Sequence, residues 1–303
     1  MNSLNRVLVL AFLLFAGKLC AQDTAEKDQS LVDTVIWERG FNSTLNASQV
    51  NFTNWAAGGE NSLSATALFH MYLNRKKDKA EWVNELKTAY GIIKQGELKT
   101  IKSEDVLDIL SKYGYKTKSN WYYSALFNLK TQFDQGFKDP QKEDEIVSSF
   151  MAPGYISFSL GMDYKPNKDF SLFLSPISTK TTAVLDDSVD EVQYGLDSSK
   201  TFRSELGAYL SMSFKTTLME NVDYETKVNL YSNYLKNPSD IDVNWMNLLT
   251  MKVNKYLQVN VLTELIYDDD INIKDKDDVD EGGPKTQFKE ILSLGLTYKW
   301  DKK

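Results

Sequence analysis

QFKEILSLGLTYKW, residues 287–300, is the stretch on which the reading of this chain turns. On a strand, whose side chains alternate between faces, Phe288, Leu292, Leu294, Leu296, Tyr298 and Trp300 share one side. Gln287, Lys289, Ser293, Gly295, Thr297 and Lys299 share the other. A face this apolar needs a cover, either a second sheet or hydrocarbon. The aromatic pair Tyr298 and Trp300 at its end fits the level where a strand leaves hydrocarbon and meets headgroups.

The same alternation recurs upstream. Leu63, Ala65, Ala67, Phe69, Met71 and Leu73 alternate with Ser64, Thr66, His70 and Tyr72. Trp82, Leu86, Tyr90 and Ile92 are opposed by Glu81, Glu85 and Lys87, and Leu107, Ile109, Tyr113 and Tyr115 by Lys102, Glu104, Asp108 and Lys112. Similar runs cover 121–133, 156–164, 170–174, 206–214, 222–234, 241–253 and 257–267, and a weakly patterned one covers 37–50. The expected fold is all-β, a transmembrane antiparallel barrel of about twelve strands in an up-and-down meander. Connections after even-numbered strands are short, and those after odd-numbered strands are mostly longer and more polar, as in barrels with short periplasmic turns and longer outer loops. Charge placement separates a barrel from a soluble sandwich. The apolar faces are almost free of Asp, Glu, Lys and Arg although a quarter of the chain is charged, and one Lys or Arg facing lipid near midplane costs about 2–4 kcal/mol.

The N-terminus supplies a compartment. A basic start at Arg6, an apolar run over 7–17 and the small-residue exit Leu19-Cys20-Ala21 predict a signal peptide over 1–21. A lead-in over 22–36 and a barrel over 37–303 come after it. Lys18 spoils a lipidation motif at Cys20, so cleavage after Ala21 is expected. That leaves 33 Lys+Arg against 42 Asp+Glu and no cysteine. Such an acidic balance argues against a nucleic-acid partner, and the missing cysteines exclude disulfides and thiol chemistry. No later apolar run reaches the roughly 18 residues of a spanning helix.

Two resemblances add to this. Ser293, Gly295, Tyr298 and Trp300 resemble the C-terminal signal by which the barrel-assembly machinery recognises outer-membrane barrels. Gln49, the run Asn54-Trp55-Ala56-Ala57-Gly58-Gly59-Glu60-Asn61-Ser62, Trp82-Val83-Asn84, Lys112-Tyr113-Gly114-Tyr115, Ser149-Phe150-Met151-Ala152-Pro153 and Leu174-Ser175-Pro176 resemble a Bacteroidetes envelope family catalogued as a domain of unknown function, DUF3078. The likeness covers about 37–180. It implies an outer-membrane location and brings no known activity or site.

Candidate chemistry is sparse. His70 is the single histidine. Outer-membrane phospholipase, which this architecture resembles, uses a His-x-Ser pair, whereas here Met71-Tyr72 comes next and the alternation points His70 inward. A hydrogen-bonded lumen filler is the simpler reading, so no enzyme activity is expected, and a lipid hydrolase stands only as the third alternative. The acidic run 268–278 lacks the turn glycine of a calcium loop, with Ile273 in its place, and reads as a solvated loop. No metal or other cofactor is expected. Asn54, Trp55, Gly58, Gly59 and Glu60 form a candidate mouth or plug loop, for which a capping turn is the alternative. His70, Glu81, Glu85, Lys87, Lys102, Asp108 and Lys112 are the candidate lumen residues. Opposite charges across so narrow a lumen should pair and leave at most a slim aqueous path. The expected role is a narrow channel or a binder of a small solute, with outer-membrane lipid as partner; the alternative is a non-conducting envelope interaction protein.

Overall fold

The computed structural model describes residues 35–52, 60–143, 145–273 and 283–302. The signal peptide, nearly all of the lead-in, and Asn54, Trp55, Gly58 and Gly59 lie outside the described residues. Among the described residues, twelve long strands close into one antiparallel barrel. They are β1 (Ile36–Val50), β2 (Ser62–Lys77), β3 (Ala80–Gln95), β4 (Ile101–Lys116), β5 (Trp121–Thr131), β6 (Gly154–Tyr164), β7 (Phe170–Ala183), β8 (Phe202–Met219), β9 (Val222–Asn233), β10 (Ile241–Lys252), β11 (Leu257–Tyr267) and β12 (Gln287–Lys302). Each pairs with its neighbours in sequence, and β12 closes on β1 from Arg39 opposite Lys302 to Asn46 opposite Gly295. Closure leaves no unpaired edge.

Register sorts the side chains as the alternation requires. Lys87 lies opposite Asp108 and Asp108 opposite Lys130, while Glu264 lies opposite Lys289, all facing the lumen. On the outside, Leu292 is 71% exposed, Phe288 64% and Leu296 60%. Each such side chain left in water forgoes about 1.5–3 kcal/mol of burial, so the outer face is built for an apolar solvent. Polar groups there satisfy one another: Trp82 Nε1 donates to Ser111 Oγ (2.9 Å), which donates to Asn84 Oδ1 (2.8 Å), and Trp245 Nε1 donates to Thr226 Oγ1 (3.0 Å). Glu290, next to Phe288 on the outward side of β12, is a charged exception near the start of that strand, as Lys302 is at its end.

Connections differ sharply between the two ends. At one they cover only 78–79, 117–120, 165–169, 220–221 and 253–256. Asp78 (φ 50°) and Asn221 (φ 63°) take the left-handed conformation of tight hairpins, which Asp and Asn tolerate. At the other end, two long connections fold on each other. One carries a small hairpin, Gly136–Phe137 with Ile146–Ser148, and the other a 3₁₀ turn, Glu191–Tyr194, capped by Asp190. Between them Ala152, Val184, Val189 and Leu196 are buried, with Ile146 and Tyr194 packed alongside.

Bulges make the main departures from simple alternation. β7 runs on to Ala183, well past the Leu174 at which the sequence alternation stops, because the register shifts around Pro176 against both neighbours. A proline, which cannot donate to the ladder, is tolerated at such a bulge. The extra residue swaps the faces beyond it, turning Lys180 and Thr182 inward. Gly161 faces this bulge, and a Cβ there would meet the backbone of Leu174 and Ser175. Gly161→Ala is therefore expected to cost about 1–3 kcal/mol, read as a lower guanidinium midpoint for the lipid-reconstituted barrel.

Candidate functional site in the lumen

The inward residues meet at three levels. Near the short-turn end Asp163 is fully buried. It accepts from Lys112 Nζ (2.8 Å) and Ser124 Oγ (3.2 Å). Lys165 Nζ lies 3.9 Å from Asp163 and 2.8 Å from Glu81. Lys112 Nζ also sits 5.6 Å over the Phe173 ring, and Lys165 Nζ 5.0 Å over the Tyr122 ring. Ser159 and Ser178 share a hydrogen bond of 2.6 Å. This side of the lumen, lined by β5–β7, is packed.

At mid-height His70 Nε2 lies 3.4 Å from Glu85 Oε2, without hydrogen-bond geometry, and Lys87 Nζ lies 3.1 Å from the same oxygen. Asn128 Nδ2 donates to Asp108 Oδ1 at 2.6 Å. The side chains of His70, Glu85 and Lys87 remain 41%, 30% and 43% exposed, against 1% for Asp163. Water thus reaches the β2–β3 side of the lumen.

At the long-loop end, bridges cross between walls. Lys180 Nζ is 2.7 Å from both Asp242 and Asp268. Arg203 Nη2 is 3.1 Å from both Glu205 and Asp270, and its Nη1 donates to Gly195 O (2.9 Å). Lys289 of β12 reaches Glu104 of β4 (2.9 Å) and Glu264 (3.6 Å). Asp268 and Asp270 thus engage cations of the barrel mouth, where the sequence reading has a solvated acidic loop. Its hydrogen bond to Asp270 holds the Lys236 ammonium above the usual lysine range.

The structure brings His70, Glu81, Glu85, Lys87, Asp108 and Lys112 to the lumen face. Lys102 is a correction. The bulge between Gly91 and Ile92 sets it opposite Ile92, whose side chain is exposed, and its Nζ meets Asp105 (2.8 Å) and Asp134 O (2.7 Å) on the outward rim. Glu60, the described member of the mouth loop, is exposed beside Val50, Phe52, Ser62 and Gln95. On β12, Ser293 and Gly295 face inward and Tyr298 and Trp300 outward, both rings 5.9 Å from Phe41 across the closing seam. Asp163, Lys165, Lys180, Arg203 and Asp242, which carry much of the network, are absent from the sequence candidates. The inward parity of Asp163 in 160–164 and of Asp242 in 241–245 is the signal that finds those two.

Outside the lumen, a cleft of about 650 Å³ opens between the two long connections, lined by Phe133, Asp134, Phe150, Leu185 and Asp186 among others.

A family model described as a protein of unknown function (DUF3078) matches residues 47–137. No curated protein matches the chain. Among solved structures, the chain is similar to the COG4313 outer membrane channel from Pseudomonas putida F1, with 11% identity over 91% of this chain and 100% of that one and a TM-score of 0.42. It is similar to the translocator domain of autotransporter NalP from Neisseria meningitidis, with 8% identity over 97% and 95% and a TM-score of 0.40. The outer membrane channel DcaP of Acinetobacter baumannii gives 8%, 88% and 97%, and 0.31.

Proposed function

We propose that this chain is an outer-membrane barrel whose half-filled lumen binds, and slowly passes, a small polar solute. One observation carries the reading: His70, Glu85 and Lys87 stay accessible at mid-lumen while Asp163 on the packed side does not. Cross-lumen bridges from Lys180 and Arg203 then set the narrowest passage at the long-loop end. On this reading outer-membrane lipid covers the outward faces, and Ser293, Gly295, Tyr298 and Trp300 address the assembly machinery. Refolded protein in planar bilayers is expected to give small unitary events, and Lys180→Ala with Arg203→Ala larger ones. Silent wild type and silent variant together would instead favour a non-conducting interaction protein. The outer cleft, with Phe133, Phe150 and Leu185 exposed around it, is the feature that speaks for that second reading.

A further inference from the structure

The inward charges are unevenly matched. Lys87, Lys112, Lys165, Lys180, Arg203 and Lys289 each have a carboxylate within ion-pair distance. Among the described residues, none lies that close to Lys130 of β5, opposite Asp108, or to Lys227 of β9, which faces the lumen between Ser213 and Met246. Its inward neighbours along the strand are committed elsewhere: Glu225 to Lys215 at 3.1 Å, and the carbonyl of Asn229 to Tyr209 Oη (2.9 Å) and Ser211 Oγ (2.8 Å). That leaves the Asn229 amide N–H groups without an acceptor among the described residues. Across the lumen stand Lys87 and Lys112, each paired, Glu85, which holds Lys87, and Asp108, which accepts from Asn128. An ammonium and an amide, both donors and both lacking an acceptor among the described residues, stand at successive inward positions of one strand. Donors in that state are completed by water, or by an oxyanion that displaces it.

The lining beside them is apolar. Met246 pairs with Lys227 in a row that runs on to Glu264 and Lys289, and in the next inward row Leu248, Leu262 and Ile291 lie side by side across β10, β11 and β12, half-buried, with Glu225 opposite Leu248. A polar lumen has no use for that row unless something apolar rests on it. Resting on the proposed solute-binding role, we infer that the solute is a small carboxylate with an apolar body. Its head is held by Lys227 and Asn229, and its body lies along Met246, Leu248, Leu262 and Ile291.

Calorimetric titration of the full chain in lipid nanodiscs with sodium hexanoate and sodium acetate tests this, with empty nanodiscs subtracted. Hexanoate is expected to bind at one saturable site, at least about tenfold tighter than acetate because each buried methylene adds about 0.8 kcal/mol. Lys227→Met is expected to weaken hexanoate by about tenfold or more and Lys227→Arg to retain it. Leu262→Asn should remove the preference over acetate, and Lys118→Met, in an exposed turn, should change neither. If Lys227→Met does not fold, Lys227→Gln carries the same expectation. Hexanoate that binds Lys227→Met as tightly as wild type, or that does not saturate wild type, overturns the inference. Binding without bilayer events removes conduction and keeps the site, whereas events without binding remove the site and keep the channel.

Discussion

Replacing Asp163 by alanine is expected to cost the folded barrel about 3–5 kcal/mol, the largest loss of any single lumen substitution. Asp163 is fully buried and is the carboxylate that Lys112 meets, at 2.8 Å, while Lys165 lies 3.9 Å away with Glu81 to hold it. Without Asp163 the Lys112 ammonium is left against the Phe173 ring with no carboxylate in ion-pair distance among the described residues, and Ser124 loses its acceptor. Breaking such a pair is costly because the remaining charge stays desolvated, not because the pair itself is worth that much. The double variant Asp163→Ala with Lys112→Met is therefore expected to recover most of the loss. Guanidinium titrations of the lipid-reconstituted barrel, followed by tryptophan fluorescence, give the three values needed for the cycle. If the double variant is as unstable as Asp163→Ala alone, the loss comes from a cavity or from Ser124 rather than from the stranded ammonium.

The strands are legible in the sequence because a barrel wall between lipid and a charged lumen imposes a strict period of two, and registers of that kind leave little freedom. Legibility ends where the period does. At Pro176 and at Ser103, opposite Gly91, a bulge inserts one residue, and parity carried across it assigns the wrong face to the residues on its far side. Simple parity therefore places Lys102 in the lumen and misses the inward Lys180. The cap over the long-loop end is illegible for another reason. Ala152 packs with Val184, Val189 and Leu196, which come from a different connection, and no local pattern encodes a contact between two loops. The partners of Asp268 and Asp270 are hidden in the same way, since Lys180 and Arg203 lie on strands far from them in sequence. The row of Leu248, Leu262 and Ile291 shows a limit of a different kind. Apolar residues on the inward face blur the alternation in β10–β12, and only the register reveals that they form one surface.

Arginine at Val261 is expected to destabilise the barrel in lipid by about 2–4 kcal/mol. Val261 is outward on β11, flanked by Leu249 of β10 and Leu292 of β12, so the guanidinium has no acidic neighbour in register and must either sit in hydrocarbon or thin the bilayer locally. Arginine at Thr250, on the inward face of β10, is expected to cost at most about 1 kcal/mol, because Asp223 stands opposite it and the lumen supplies water. The contrast matters more than either value. A soluble barrel or sandwich would reverse it, since an outward arginine would then be hydrated at almost no cost while an inward one would enter a sealed core. Unfolding midpoints of the two variants, measured in bilayers of one thickness and again in a thinner one, decide between these cases: lipid on the outside makes the Val261→Arg loss fall as the bilayer thins, while the Thr250→Arg loss stays unchanged.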